Sequence, residues 1–487
     1  MGVCSNRRRF TPLAVPALMV ALSMGAQAQV PNRQGWLEDF QQLQQELSAH
    51  YANLEWAVQQ RGVNLPQLRE KTEERLRQAK SEKEAQRALD SFLEAFGDGH
   101  LEIQWSTGES GGAEPGSAPL CQRMGYAAHN QRAWVNWALF PEFEPIHDAD
   151  AQDFPGGVLR LAGGRTFGVV QISLFSEYGH PGLCAQAQQK LGLADNAACD
   201  DKCEDRLELE VSNLLTAALG RRIESLERAG ARRLLVDITR NGGGTNWSEP
   251  AARVLTKVPL RSPRLGFVRH EHWVKLLGDR LQGVEADLRD NPGADKATLE
   301  TAAQHLRAAA AEAKKPCDRS GLWQDPPKSP DCPLLVPEPL YASGILPYAA
   351  PGSFSALRSK SVLFYPSLYS YREGVNRLPL LVLVDDNTAS SAEYFAAMLQ
   401  DNKAAKIVGM VTFGAGCGFT DGGIPTVLRH SGARVRIPDC ARFRADGSNE
   451  VAGVIPDVLL PWSDKDSSLQ VVTKLRRWLE TLPAAPK

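Results

Sequence analysis

Leu378-Pro-Leu-Leu-Val-Leu-Val384 runs directly into Asp385-Asp-Asn-Thr-Ala-Ser390-Ser-Ala-Glu393-Tyr-Phe395, and the reading of this stretch decides the fold. The apolar residues are consecutive rather than alternating, so the strand is buried on both faces, as in a parallel sheet covered by helices. A polar turn follows, and residues 390–400 read as a helix. The spacing Ser390-x-x-Glu393 is that of a capping box, which would make Ser390 an ordinary N-cap. It also allows chemistry: a serine at a helix N-terminus lies in a positive local field that favours an oxyanion beside it.

The same unit recurs upstream. Arg233-Leu-Leu-Val-Asp-Ile238 is a second continuous run, followed by Thr239-Arg-Asn241-Gly242-Gly243-Gly244-Thr-Asn-Trp247. Consecutive glycines let the backbone approach a ligand and aim N–H groups at it, although a tight turn is the plainer reading. The spacing, and the missing lysine, exclude a dinucleotide fingerprint and a P-loop. Residues 167–172 and 406–411 read as strands, and 207–228 as a helix. Short strands are expected at 133–139 and 157–161, and a surface excursion at 180–205. Strand, turn and helix in repetition give an α/β fold.

Residues 34–97 read as helical, with Trp36, Phe40, Leu43, Leu47 and Tyr51 at spacings of three and four. Gly97-Asp98-Gly99-His100 ends that pattern. A histidine in a glycine loop is a candidate general base, and equally an ordinary surface histidine.

Arg7, Arg8 and Arg9, the apolar stretch 12–24 and Ala26-Gln27-Ala28 have the anatomy of a secretory signal peptide. Eight cysteines follow it, an even number suited to disulfides in an oxidising compartment. Local pairs are expected: Cys317 with Cys332, Cys417 with Cys440, and Cys184 with Cys199 or Cys203. The protein is expected to be periplasmic or secreted. With 55 basic against 57 acidic residues, a net charge of −2, it carries no nucleic-acid footprint. No later segment is apolar enough to insert stably in a membrane. His270-Glu-His272 could present two imidazoles to a metal, but no third ligand follows at helical spacing, so neither metal nor cofactor is expected.

The expected organisation is a signal peptide at 1–28 and an N-terminal helical region at 29–105. A connecting region follows at 106–160, then the first part of the core at 161–250. An irregular insertion covers 251–375, with a helix at 295–315. The second part of the core lies at 376–465 and a C-terminal helix at 466–487.

Three motifs in order, Asp98-Gly99-His100, Asp237 to Gly244 and Thr388 to Glu393, resemble the tail-specific (C-terminal processing) serine peptidase superfamily, in its tricorn-like and interphotoreceptor retinoid-binding protein-like branch. Gly409-x-x-Thr412-x-Gly414 and Glu450-x-x-Gly453-x-x-Pro456-Asp457 extend the likeness. The resemblance implies a core related to the crotonase and ClpP folds. It also implies Ser390 as nucleophile, His100 as general base and Glu450 as the further catalytic carboxylate. The backbone amides of Gly243, or a neighbouring glycine such as Gly244, and of Ser391 would form the oxyanion hole. Thr239 stands where the family has arginine, Gly99 where the tricorn tetrad has serine, and Ala415 where many relatives carry an activating lysine. The implied activity is hydrolysis of peptides or unfolded proteins. The rival is a noncatalytic protein on the same fold that binds peptides or apolar ligands. Oligomeric state is not legible.

Overall fold

The computed structural model describes residues 32–105, 118–129, 133–290, 293, 295–328, 330, 332–333, 335–336, 340–418 and 426–484. The signal-like leader, its cleavage site and residues 106–117 lie outside them. Among the described residues no helix is long and apolar enough to cross a membrane.

The consecutive apolar runs do become buried parallel strands. Seven strands form the central sheet: β1 (Phe143–Pro145), β2 (Gly156–Leu161), β3 (Arg165–Gln171), β4 (Arg233–Asp237), β5 (Leu380–Val384), β6 (Lys406–Gly409) and β7 (Val458–Leu459). They lie in the order β7-β6-β5-β4-β3-β2-β1. From β3 to β7 every pairing is parallel, while β1, β2 and β3 pair antiparallel. Val382, Leu383 and Val384 are fully buried. Burial of each such side chain contributes about 1.5–3 kcal/mol.

The register of β4 and β5 sets the site. Asp237 pairs with Leu383, so the glycine turn and the serine turn emerge side by side at the carboxyl edge, where open α/β sheets bind ligands. A hydrogen bond from Ala389 N–H to the Asn241 carbonyl, 3.0 Å, ties the two turns together.

The helices Arg33–His50, Leu65–Gln78 and Glu82–Glu94 pack around Trp36, Phe40, Leu43, Leu47 and Phe92. Leu428 and Val435 join the same cluster. Glu102–Gln104 pairs antiparallel with Arg434–Arg436, which docks this layer, and the His100 loop at its end, against the β-rich C-terminal half.

Several local expectations are corrected. Residues 133–139 hold no strand, only bends and a 3-10 turn, Trp137–Leu139. Trp134, Val135 and Trp137 instead join a core that also holds Phe167, Leu235, Leu381 and Leu383 of the sheet. The stretch 180–205 is not merely an excursion, because it contains the helix Pro181–Leu191 and the start of Asp201–Arg228. The insertion contains an additional long helix, Glu271–Asp290, packed against Lys296–Ala313 through Trp273, Leu277, Leu299 and Leu306.

The disulfides are Cys121–Cys184, Cys199–Cys203, Cys317–Cys332 and Cys417–Cys440. The last two match the local expectation. Cys184 instead reaches back to Cys121, since the short helix carrying Cys121 packs beside Pro181–Leu191.

Candidate active site

Ser390 caps the helix Ser391–Asp401 with φ 57° and ψ −121°. This is a region that residues with a side chain rarely occupy and that tends to mark functional turns. The conformation is held from both sides. Ser390 N–H donates to Glu393 Oε2 at 2.9 Å, and the Ser390 carbonyl accepts from Tyr394 N–H at 3.0 Å. The glutamate arm of the capping box is therefore present, while Ser390 Oγ lies 3.0 Å from His100 Nε2.

The other face of the imidazole fixes its tautomer. His100 Nδ1 lies 2.5 Å from the carbonyl oxygen of Ala415. A carbonyl only accepts, so Nδ1 carries the proton. Nε2 then presents a lone pair to the Ser390 hydroxyl, the arrangement a general base requires. Burial pushes the His100 pKa down to about 4, against the pull of the Ala415 carbonyl, so the ring is neutral near pH 7.

Two clamps hold these partners. The first is Asp98, which is buried. Its carboxylate accepts from Asn53 Nδ2 at 2.8 Å, Tyr51 Oη at 3.2 Å and the His100 amide at 3.0 Å. Burial raises its pKa to about 6, opposed by those hydrogen bonds. The second is Glu393, fully buried. Oε1 accepts from Thr412 Oγ1 at 2.6 Å and Gly414 N–H at 2.7 Å, while Oε2 accepts from Ala415 N–H at 2.8 Å and Ser390 N–H at 2.9 Å. One carboxylate thus joins the Ser390 turn to the loop that orients His100. The sequence pattern registers Glu393 only as a capping residue.

Ala415 has no side chain capable of replacing a lysine, yet its backbone carbonyl touches His100. A Cβ on Gly99 would lie 2.1 Å from Phe413 Cε1 and 3.3 Å from the Ala415 Cβ, so a side chain there would displace the exposed Phe413 ring. Thr239 braces the glycine turn, donating through Oγ1 and N–H to Asp237 Oδ1 at 2.7 and 3.1 Å and accepting from Trp134 N–H at 2.8 Å.

Glu450 touches neither Ser390 nor His100. It is fully buried, with its oxygens on Arg442 Nε at 2.9 Å and Nη2 at 2.6 Å, and Arg442 Nη2 also donates to the Gly416 carbonyl at 2.7 Å. The expected catalytic contact is replaced by a buried ion pair under the loop that carries Ala415.

The expected oxyanion role of Gly243 is likewise altered, because its N–H donates to Asn241 Oδ1 at 2.9 Å. Its carbonyl accepts from Phe175 N–H at 2.9 Å. Across a planar trans peptide the N–H points opposite to the carbonyl, so the Gly244 amide is turned away from Phe175. A Cβ on Gly243 would lie 2.8 Å from Ser390 Cβ and 2.9 Å from Ser391 N, so the glycine turn directly abuts Ser390. Ser391 is the first residue of its helix, where an amide has no intrahelical partner.

An imidazole poised on a strained serine at the carboxyl edge of this sheet is the arrangement of a serine hydrolase. Residues 270–460 match Peptidase family S41. The chain is similar in structure to mature CPAF complexed with lactacystin, at 16% identity, covering 92% of this chain and 99% of that one, TM-score 0.55. It is similar also to mature CPAF alone, at 15% identity, covering 93% and 97%, TM-score 0.53. None of the curated proteins matches the sequence. The match to Peptidase family S41 covers residues 270–460, and the fold is shared with mature CPAF.

Proposed function

We propose that this chain is an exported endopeptidase that cleaves peptides or unfolded proteins through an acyl-enzyme on Ser390. The observation that carries the reading is the 3.0 Å approach of His100 Nε2 to Ser390 Oγ, with Nδ1 fixed on the Ala415 carbonyl. Ser390 Oγ attacks the scissile carbonyl carbon as its proton passes to His100 Nε2. The tetrahedral oxyanion is stabilised by the amides of Gly244 and Ser391. As the C–N bond breaks, His100 returns that proton to the leaving amine. Water then attacks the ester, giving a proton to His100, and Ser390 Oγ leaves and recovers it.

Glu393, Asp98 and the Arg442–Glu450 pair act as positioning groups around the base and nucleophile. Phe413 is 56% exposed and packs over Gly99 beside His100, which supports a preference for an apolar substrate side chain. The four disulfides and the signal-like leader support an oxidising, extracytoplasmic location.

The test is labelling with a fluorophosphonate, followed by mass spectrometry, combined with cleavage profiling on a peptide library. The wild type should carry the label on Ser390 and cleave internal bonds, and Ser390→Ala should do neither. Cleavage undiminished in Ser390→Ala would refute the reading.

A further inference from the structure

His50 ends the helix Arg33–His50, His270 immediately precedes the helix Glu271–Asp290, and His272 lies in its first turn. Their nitrogens come within 4.8 Å of one another, and all three side chains are half-buried. His270 Nδ1 and His272 Nδ1 are 2.7 Å apart, and the His50 ring centroid lies 4.0 Å from that of His270. The third imidazole missing from the local sequence is thus supplied by the N-terminal layer.

The surroundings have the form of a metal centre. His272 Nε2 lies 2.5 Å from Asp439 Oδ2, and His50 Nε2 lies 3.0 Å from Glu46 Oε2. A carboxylate on one ring nitrogen orients a histidine and raises the basicity of the other. The donors are imidazole nitrogens rather than oxygens, which favours zinc over magnesium or calcium.

We propose that His50, His270 and His272 bind one zinc ion, oriented by Asp439 and Glu46, and that the ion staples the end of the first helix to the inserted helical hairpin. The staple sits on both arms that orient the catalytic base. His50 is followed by Tyr51 and Asn53, which hold Asp98. Asp439 is followed by Cys440, whose disulfide partner Cys417 lies two residues beyond Ala415.

The test uses untagged full-length protein stripped with a chelator and titrated calorimetrically with zinc chloride, and separately with magnesium chloride. Thermal melting is recorded with and without each ion. One equivalent of zinc should bind and raise the melting temperature, and magnesium should do neither. Cobalt(II) should give the visible absorption of a low-coordinate nitrogen site. Asp439→Asn should weaken zinc about 10–100-fold. The variant His50→Gln/His270→Gln/His272→Gln should melt like the metal-free wild type and lose the zinc-induced shift. If the triple variant does not fold, His272→Gln alone provides the comparison. Absence of saturable zinc binding by the wild type, or unchanged affinity in these variants, would overturn the proposal. Both readouts are independent of turnover, so they remain informative if the peptidase mechanism is wrong.

Discussion

His100 donates through Nδ1 to the backbone carbonyl of Ala415 at 2.5 Å, so its ring is oriented by a main-chain oxygen and not by a carboxylate. In the proposed mechanism, this relationship lets a chain with alanine at this position prepare a base. It also ties the tautomer of His100 to the shape of the loop at 412–418.

The first prediction concerns pH. As the proposed base, His100 acts only when neutral, and burial holds its pKa at about 4, below the unperturbed value of about 6.5. Its protonated fraction falls as pH rises through that value, so kcat/KM should rise through an acid limb centred near 4. The measurement is kcat/KM on a non-titrating peptide substrate across pH 3.5–8. An acid limb at the ordinary imidazole value would show that His100 is solvated in the free enzyme.

Glu393 offers a second test. Its four accepted hydrogen bonds leave no place for an amide donor. In Glu393→Gln the new NH2 group confronts N–H or O–H donors on one side. Buried polar groups left unpaired cost about 1–3 kcal/mol. Denaturant unfolding should show a loss of that size. Turnover should fall mainly in kcat, with KM little changed, because the residue positions Ser390 and Ala415 and does not touch substrate. A wild-type kcat would remove Glu393 from the positioning role.

Gly243 gives a third. Its φ is 100°, and a Cβ would press on the Ala389 carbonyl at 2.8 Å as well as on Ser390 and Ser391. Gly243→Ala should therefore displace the nucleophile turn and its amides. Loss of one oxyanion donor costs about 10²–10³ in rate, and kcat should fall at least that far. Circular dichroism should still report the folded protein. Wild-type turnover would mean that the turn is not coupled to the chemistry.

The legible parts were those with a side-chain signature. The apolar runs at 233–238 and 380–384 announce buried parallel strands, and the turns after them mark the carboxyl edge. His100 becomes a candidate base only through the family pattern, since nothing local to Gly97-Asp98-Gly99 says which serine it will meet. Ala415 could not be read as an orienting group, because a backbone acceptor leaves no mark on residue type. Cys121 and Cys184 are separated by 63 positions, so a preference for local pairing could not join them. The helix Glu271–Asp290 was hidden because its buried Trp273, Leu277 and Val284 are sparse among charged residues. The imidazole of His50 meets His270 and His272 only through tertiary packing, so two histidines in sequence looked insufficient for a metal.

The central claim is that His100 takes the proton of Ser390. The most direct measurement is the single-turnover rate of acylation by an activated ester substrate, followed in wild type and in His100→Ala with matched melting temperatures. General-base assistance contributes about 10²–10⁴-fold. The account predicts that His100→Ala acylates more slowly by a factor in that range and loses the acid limb near pH 4. Acylation by His100→Ala at the wild-type rate, with the same pH dependence, would contradict it.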